Sequence, residues 1–169
     1  MPGRTATAAG HTLVEMLVVL GLAGLLATLA VPSFATWLQD SRRDAAAIAV
    51  LHAIHLARQL AATRGEAMQL CGSREGLRCT GLSEWTGGLL VSNRDGSFRR
   101  AWPASGRTDT PRLHSNRTVV QFEGGTGFAS PATVTICDRR GRTGARAVII
   151  SRSGRPRLDH VAHRDPAPC

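Results

Sequence analysis

The sequence predicts an α+β fold in which one long N-terminal α-helix packs on small antiparallel β-sheets. Three observations support this prediction. An apolar stretch opens the chain between Gly10 and Phe34, and an Ala- and Leu-rich stretch follows it to Arg64. After Gly65 the chain consists of short β-prone runs separated by Gly, Asn and Asp. The chain has 169 residues, so one globular domain with a modest core can follow the apolar stretch.

The apolar stretch has the length and composition of a membrane-spanning helix. Glu15 is its single charged residue, and no charge occurs between Met16 and Ala35. About 20 residues in a helix cross the roughly 30 Å of a bilayer's hydrocarbon. Lipid offers no partner to the backbone, so the segment must satisfy its hydrogen bonds as a helix. A carboxylate near the start of such a helix is costly, which makes Glu15 a candidate functional residue.

The helix is predicted to continue past Pro32, with a kink there, and to run from about Thr12 to Arg64. Gly65 is a suitable C-terminal cap. The charged residues expected mostly off the apolar stripe are Arg42, Arg43, Asp44, Arg58 and Arg64. His52 and His55 are expected to be packed or half-exposed rather than ligands. The stripe itself repeats every three to four residues and contains Ala47, Val50, Leu51, Ile54, Ala57 and Ala61.

Seven strands are predicted in the rest of the chain, with polar or Gly-rich loops between them. The predicted loops include Gly72–Gly87, Pro103–Asn116 and Arg139–Gly144. Pro156 marks the last strand as an edge strand, because proline cannot donate to a β-ladder. The predicted strands are Ala67–Cys71, Gly88–Ser92, Ser97–Trp102, Arg117–Glu123, Thr133–Asp138, Ala145–Ser151 and Gly154–Leu158.

The segment before the apolar stretch reads MPGRTATAAG, with small residues ahead of the apolar region rather than after it. A cut after Gly10 would free the amine of His11, keep the helix, and make Glu15 the fifth residue of the mature chain. This arrangement resembles the class III signal of type IV pilins and pseudopilins. The resemblance divides the chain into a leader (1–10), a transmembrane or filament-core helix half (11–35) and a globular pilin head (36–169).

The class III resemblance also implies partners and a location. Prepilin peptidase would cut after Gly10 and methylate the new N-terminus, and Glu15 would pair with the amine of a neighbouring subunit during assembly. The chain would cross the bacterial inner membrane once, with its head in the periplasm, and then join other pilins in a surface pilus. The family usually has Phe as its first mature residue, and this chain has His11.

Several later segments are similar to the FimT/GspH branch of minor pilins, which has a pilin-like fold. They are LHAIHLARQLAATRGEAMQLC, a region rich in Gly and Trp, TVTICD, AVIISRSGRPRL and a C-terminal Cys. In that branch the helix packs on two small antiparallel sheets.

Four cysteines, at positions 71, 79, 137 and 169, indicate two disulfides if the domain faces an oxidising compartment. Three pairings are open. We favour Cys71–Cys79, which closes a short loop, and Cys137–Cys169, which would tie down the C-terminus. No C-x-x-C motif occurs, and His160 and His163 lack a second ligand pair, so we predict no metal site.

The sequence gives little sign of catalysis or of a cofactor. It has no G-x-S-x-G motif and no Gly-rich loop between a strand and a helix. Its carboxylates are scattered singly among arginines, which favours solvated ion pairs over an acid–base dyad. We therefore expect a protein that is not an enzyme and needs no cofactor.

Positive charge is concentrated near the C-terminus. All 21 basic residues are Arg and the formal net charge is +9; high genomic G+C is an alternative reason for the choice of Arg. Seven arginines and no acid lie between Arg139 and Arg157. If the last two strands form a hairpin, Arg152 lies at its tip, and Arg155 and Arg157 point to one side. Two guanidinium groups on one side suit successive phosphates, and Gly154 allows close approach of a backbone.

FimT-like minor pilins that support DNA uptake carry Gly-Arg-x-Arg near the C-terminus, and this chain has Gly154-Arg155-Pro156-Arg157. The resemblance implies that Arg155 and Arg157 contact double-stranded DNA. Charge alone suggests Arg152, Arg99 and Arg100 as accessories. No helix is free to enter a groove, so the expected binding is non-specific. The aromatic residues available for stacking are expected in the core: Phe98, Trp102, Phe122 and Phe128.

Two alternatives remain open at this stage. The chain could be a GspH-like pseudopilin, or an assembly-priming minor pilin, with no role in DNA binding. The same arginines could also adhere to anionic polymers or lipids, because net positive charge does not select among polyanions.

Overall fold

The structure is a computed structural model that describes residues 12–104, 106, 109–160 and 169, with the backbone alone at 142, 143 and 160. The chain forms two compact units, Met1–Leu38 and Gln39–Cys169. The first unit contributes the apolar half of the helix, and the second contains the rest of the helix and all eight strands.

Helix α1 spans Leu13–Arg64, which confirms the predicted long helix. Thr12 caps its first turn, because the Thr12 hydroxyl accepts a hydrogen bond from the Glu15 N–H at 3.3 Å. Pro32 lies inside the helix without ending it. Gly65, with a φ of 71°, ends it in the left-handed conformation that glycine adopts at low cost. The helix is long and apolar enough to cross a membrane, and its apolar side chains from Leu13 to Phe34 are exposed.

Among the residues that the structure describes, eight strands follow the helix and form two four-stranded antiparallel sheets. The first sheet has the order β3-β2-β1-β5 and the second has the order β4-β6-β7-β8. This arrangement confirms the predicted fold class. The strands are β1 Met68–Gly72, β2 Gly88–Asn93, β3 Arg99–Pro103, β4 Arg112–Ser115, β5 Val119–Phe122, β6 Ala132–Asp138, β7 Gly141–Ile150 and β8 Pro156–His160.

The core lies between the second half of α1 and the inner faces of both sheets. Five of the six predicted stripe residues, all except Leu51, are buried. From the first sheet they meet residues such as Leu70 and Phe122, and from the second Val134 and Val148. Burial of these side chains supplies the main favourable term in the folding of the head.

Two predicted loops contain strand. Residues 112–115 pair with β6, with Leu113 opposite Ile136, so the predicted loop Pro103–Asn116 was wrong at its C-terminal end. Strand β7 begins at Gly141, so the predicted loop Arg139–Gly144 is a tight turn followed by strand. In both places short polar segments become strand because a neighbouring strand supplies their hydrogen-bond partners.

Both favoured disulfides are present. Cys71 pairs with Cys79, and Cys137 pairs with Cys169. The first closes a short loop after β1, and the second joins β6 to the last residue of the chain. Each bridge restricts the unfolded chain, and the longer ring restricts it more.

Candidate nucleic-acid interface

The β7–β8 hairpin carries the arginines predicted to contact DNA, and Ser151 holds its turn. The Ser151 N–H donates to the carbonyl oxygen of Arg155 at 3.1 Å, and the Gly154 N–H donates to the carbonyl oxygen of Ser151 at 2.9 Å. The Arg155 N–H in turn donates to the Ser151 hydroxyl at 3.2 Å. These bonds fix the backbone on which Arg152 and Arg155 stand.

Arg157 lies on the outer face of the second sheet, opposite Ile149 on β7. Arg155 is two residues earlier, next to the last ladder pair, Ile150 and Pro156. The two-residue repeat of extended chain places the Arg155 and Arg157 side chains on one side. Both are exposed, as is Arg152. Within the described part of the chain, no carboxylate forms an ion pair with any of these three residues.

Gly154 is buried, and its space is taken by the protein itself. A Cβ added there would lie 2.4 Å from the Gly127 carbonyl oxygen and 3.0 Å from Arg58 Cδ. Its φ of 71° is also in the left-handed region. The fold therefore requires glycine at this position whether or not a ligand binds, and the predicted contact between Gly154 and DNA stays a prediction.

Three other arginines of the C-terminal run are bound by carboxylates. Arg139 pairs with Asp109, Arg140 with Asp40 and Asp138, and Arg146 Nε lies 3.7 Å from Asp44. These pairs involve α1, the segment before β4, and the β6–β7 hairpin. The arginines of the run Arg139–Arg157 whose side chains the structure describes thus divide into a paired group near the β6–β7 turn and an exposed group on the β7–β8 hairpin.

Arg43 is the buried member of the paired group, with its side chain 8% exposed. Its guanidinium contacts Asp40 at 2.9 Å, Asp44 at 3.3 Å and Asp138 at 3.7 Å. The expectation that it lies off the packed face of α1 was wrong. The position is occupied by a cation because three carboxylates surround it, and a buried charge is tolerated when it is paired.

The arginines lower the pKa of both carboxyl groups at the centre of this network. Burial alone would raise the pKa of Asp138, but hydrogen bonds from Arg140 and the charges of Arg140 and Arg43 outweigh it. The hydrogen bond from Arg140 is the main reason that the pKa of Asp40 is below its ordinary value. The hydrogen bonds of Arg140 raise its own pKa, and the bond to Asp138 has a larger effect than the bond to Asp40.

The structure does not bring all predicted accessory residues onto one sheet. Arg99 and Arg100 are exposed, but they belong to β3, at the edge of the first sheet. Arg99 lies opposite Ser92 and Arg100 opposite Val91, so their side chains alternate between the two faces. Because the two side chains lie on opposite faces of this sheet, they cannot bind one DNA surface together, and their predicted contribution to DNA binding stays a prediction.

The sequence did not single out Arg58, Arg94 or the exposure of Phe128. Arg58 packs its stem against the Gly154 turn, and Arg94 lines a cavity together with Arg152. Phe128 is 52% exposed, so the expectation that it belongs to the core was wrong. A Gly-rich loop around a lone aromatic residue was the one signal that could have indicated this.

Some predicted residues fall outside the part of the chain that the structure describes. They are Gly10, His11, His163 and the side chain of His160. Among the described residues, no group of three or more His, Cys, Asp or Glu side chains could hold a metal ion.

Comparison with known proteins identifies the family. The model of the family described as "Type II transport protein GspH" matches residues 46–154, well over half of the chain. The chain belongs to the GspH family. The match covers the packed half of α1 and continues to the β7–β8 turn, so it includes both sheets except β8. A search of curated proteins found no match.

Two solved structures share the fold of this GspH-family chain. Both are crystal structures of the type IV minor pilin FimU from Pseudomonas aeruginosa PAO1, in space groups P65 and P21. The first has a TM-score of 0.51 at 16% identity and covers 73% of this chain and 94% of FimU. The second has a TM-score of 0.54 at 19% identity and covers 73% and 89%.

The family, the fold and the helix together define the class of protein. The chain is a GspH-family protein with the fold of a type IV minor pilin. Proteins of this family are structural subunits that associate with other pilins in a filament. The apolar helix and the family indicate membrane anchoring followed by assembly.

Proposed function

We propose that this chain is a FimT-type minor pilin of a type IV pilus that binds extracellular double-stranded DNA for natural transformation. Prepilin peptidase cuts it after Gly10 and methylates His11. It then moves from the inner membrane, where its head faces the periplasm, into the pilus. Glu15 pairs with the N-terminal amine of a neighbouring subunit, and retraction of the pilus draws bound DNA inward.

One observation supports the DNA assignment: Arg152, Arg155 and Arg157 are exposed on the β7–β8 hairpin, while Arg139, Arg140 and Arg146 are occupied by carboxylates. A guanidinium group that is not already paired is available to a phosphate. Arginine binds phosphate through two parallel hydrogen bonds and keeps its charge at any relevant pH. Contacts of this kind position a protein on the DNA backbone without reading the bases.

The binding test compares full-length protein in detergent micelles with a double variant, Arg155→Ala with Arg157→Ala. Fluorescence anisotropy with a blunt duplex measures the affinity. Loss of two phosphate contacts should weaken binding about 10- to 30-fold at physiological salt. Arg74→Ala with Arg78→Ala is a charge-matched control, since both residues are exposed on the loop after β1. Equal effects of the two double variants would refute a local DNA site.

The same two variants separate the biological role from binding. In a transformable host, the Arg155 and Arg157 variant should lower transformation frequency while the control variant does not. Mass spectrometry of the protein from pilus preparations should show a chain that begins at His11 and carries one added methyl group. A chain that keeps residues 1–10 would refute the proposed processing.

The second candidate is a GspH-like pseudopilin, or an assembly-priming minor pilin, without a DNA role. The family description, a type II transport protein, favours this alternative. Deleting the protein would then impair secretion or pilus assembly, and the Arg155 and Arg157 variant would restore the function fully.

A further inference from the structure

A cavity of about 600 Å³ lies beside the turn that carries Arg152. Its volume is within the range of about 300–1,000 Å³ that is usual for small-ligand sites. Met68, Phe122 and Ala129 also lie along its wall, although all three are buried. The more exposed side chains that line it include Arg94, Arg152, Glu123, Gln121 and Phe128, and the partly buried Gln69 and Ser130 lie there too.

Phe128 is held in a fixed position beside this cavity. Its carbonyl oxygen accepts from the Glu123 N–H at 2.7 Å, and its own N–H donates to the Thr126 hydroxyl at 3.2 Å. The next residue, Ala129, donates its N–H to the carbonyl oxygen of Arg152 at 2.8 Å. The backbone around Phe128 and the backbone of Arg152 are therefore held together.

An exposed aromatic ring in an ordered loop is costly in water unless another group covers it. Because Phe128 is 52% exposed, it forfeits about half of the hydrophobic stabilisation that full burial of the ring would give. Loop Glu123–Ser130 is closed at both ends, because Ser130 N–H donates to the Gln121 carbonyl oxygen at 2.9 Å. Since the loop is fixed in place with the ring half-exposed, a flat apolar group that stacks on the ring is the complementary partner.

We infer that the cavity binds one unpaired nucleotide of a DNA strand, with the base against Phe128 and its phosphates beside Arg94 and Arg152. This inference rests on the proposed DNA binding and adds an unpaired nucleotide to the part of the DNA that the protein contacts. Bases stack on aromatic side chains in sites for single strands, and arginines track the backbone there. The lining carries two arginines against one carboxylate, Glu123, so its balance of charge favours an anion.

The polar side chains suit the edge of a base. Gln121 is exposed and offers both a donor and an acceptor. Gln69 Nε2 donates to Ser92 Oγ at 2.9 Å, which turns its amide nitrogen to the protein and makes its carbonyl oxygen the acceptor for a ligand. Such mixed donors and acceptors accommodate several bases, so we expect little sequence preference.

The consequence is a preference for DNA with unpaired nucleotides. Bases inside a duplex are stacked and paired, and extruding one is costly. A single-stranded overhang presents a base without the cost of opening a base pair. The arginines at the β7–β8 turn would hold the duplex backbone, and the adjoining cavity would take a base from its end.

Three fluorescent DNAs test the inference with full-length protein in detergent micelles. They are a blunt duplex, the same duplex with a short single-stranded overhang, and the same duplex with an abasic overhang. The abasic probe has the same phosphates without the bases. We expect the wild type to bind the normal overhang about fivefold or more tightly than the abasic one, the factor that stacking of one base supplies.

Variants at Phe128 assign the preference to the cavity. Phe128→Ala and Phe128→Leu should both abolish the preference for the normal overhang over the abasic one, and both should leave the affinity for the blunt duplex unchanged. Leu keeps an apolar side chain but has no aromatic ring. Phe128→Trp, which keeps a ring, should retain the preference. Leu82→Ala is the control, since Leu82 is also 52% exposed but lies outside this cavity. Thermal unfolding of each variant checks that it is folded.

The outcomes separate the two proposals. If the wild type binds normal and abasic overhangs equally, or if Phe128→Leu keeps the preference, the nucleotide site is wrong and duplex binding by Arg155 and Arg157 stands. If the wild type binds none of the three DNAs, both proposals fail. If only Arg155→Ala with Arg157→Ala weakens the blunt duplex, the two sites are distinct.

Discussion

The guanidinium of Arg43 donates a hydrogen bond of 2.8 Å to the carbonyl oxygen of Gly144, which lies 101 residues further along the chain. The same guanidinium lies 3.7 Å from Asp138, whose side chain is 6% exposed. Gly144 leaves no room for a side chain, because an added Cβ would lie 2.5 Å from Asp138 Oδ1. One buried cation therefore fastens α1 to the β6–β7 hairpin.

Asp138→Asn should lower the free energy of unfolding of the head by about 3 kcal/mol at neutral pH. The substitution removes the carboxylate that pairs with Arg43 and Arg140 and leaves the buried charge of Arg43 with less compensation. Urea unfolding of the full-length protein, followed by tryptophan fluorescence, measures the change. Glu75→Gln, an exposed loop position, is the control and should change stability by less than about 0.5 kcal/mol.

The same network predicts a loss of stability in acid. The pKa values of Asp138 and Asp40 are lowered in the folded state. Their contribution is therefore complete above the ordinary value of 3.8 and is lost as pH falls through the folded pKa. Unfolding measured at neutral pH and near pH 3 should show that Asp138→Asn depends less on pH than the wild type. A parallel pH dependence in both would contradict this account.

Gly154→Ala should destabilise the head by about 2–4 kcal/mol. The substitution adds the cost of a left-handed backbone to a clash with the Gly127 carbonyl oxygen, at 2.4 Å from the new Cβ. Gly81→Ala is the matched control, because Gly81 has a φ of 70° and nothing within 4 Å of its added Cβ. It should cost only the backbone part, about 1–2 kcal/mol. Equal losses would show that Gly154 is not tightly packed.

The features that depend on nearby residues could be predicted from the sequence. Helix α1 follows from its apolar run and its Ala- and Leu-rich continuation, and Gly65 marks its end. Most strands follow from short β-branched runs between turn residues. The β7–β8 turn was placed correctly because Ser151–Gly154 separates two such runs.

The features that depend on distant residues could not be predicted. Strand β4 is short and polar, and it exists because β6 pairs with it. Burial of Arg43 depends on Asp138, far along the chain, and no local pattern distinguishes Arg43 from Arg42. The cavity beside Arg152 also combines segments from four separate parts of the chain, so composition could not show that Phe128 is exposed.

The two disulfides should contribute unequally to stability. Loop-closure entropy assigns about 3.7 kcal/mol to Cys137–Cys169 and about 2.5 kcal/mol to Cys71–Cys79, because their sequence separations are 32 and 8 residues. Urea unfolding of Cys137→Ala with Cys169→Ala, beside Cys71→Ala with Cys79→Ala, measures both. The two double variants are matched in burial, because each removes one buried cysteine: Cys137 in the first and Cys71 in the second. A larger loss for the shorter ring would mean that packing, rather than chain entropy, dominates.

The affinity for blunt duplex DNA should fall steeply with salt. If about five phosphates are neutralised, log K should fall with log salt at a slope of roughly −4 to −5. Arg155→Ala with Arg157→Ala should reduce the magnitude of that slope by about 2, since each lost phosphate contact removes about 0.9. Anisotropy titrations at several salt concentrations measure the slopes. Arg99→Ala with Arg100→Ala should change the slope less, because β3 belongs to the other sheet and carries these residues on opposite faces. An unchanged slope in the Arg155 and Arg157 variant would mean that the DNA backbone lies elsewhere on the head.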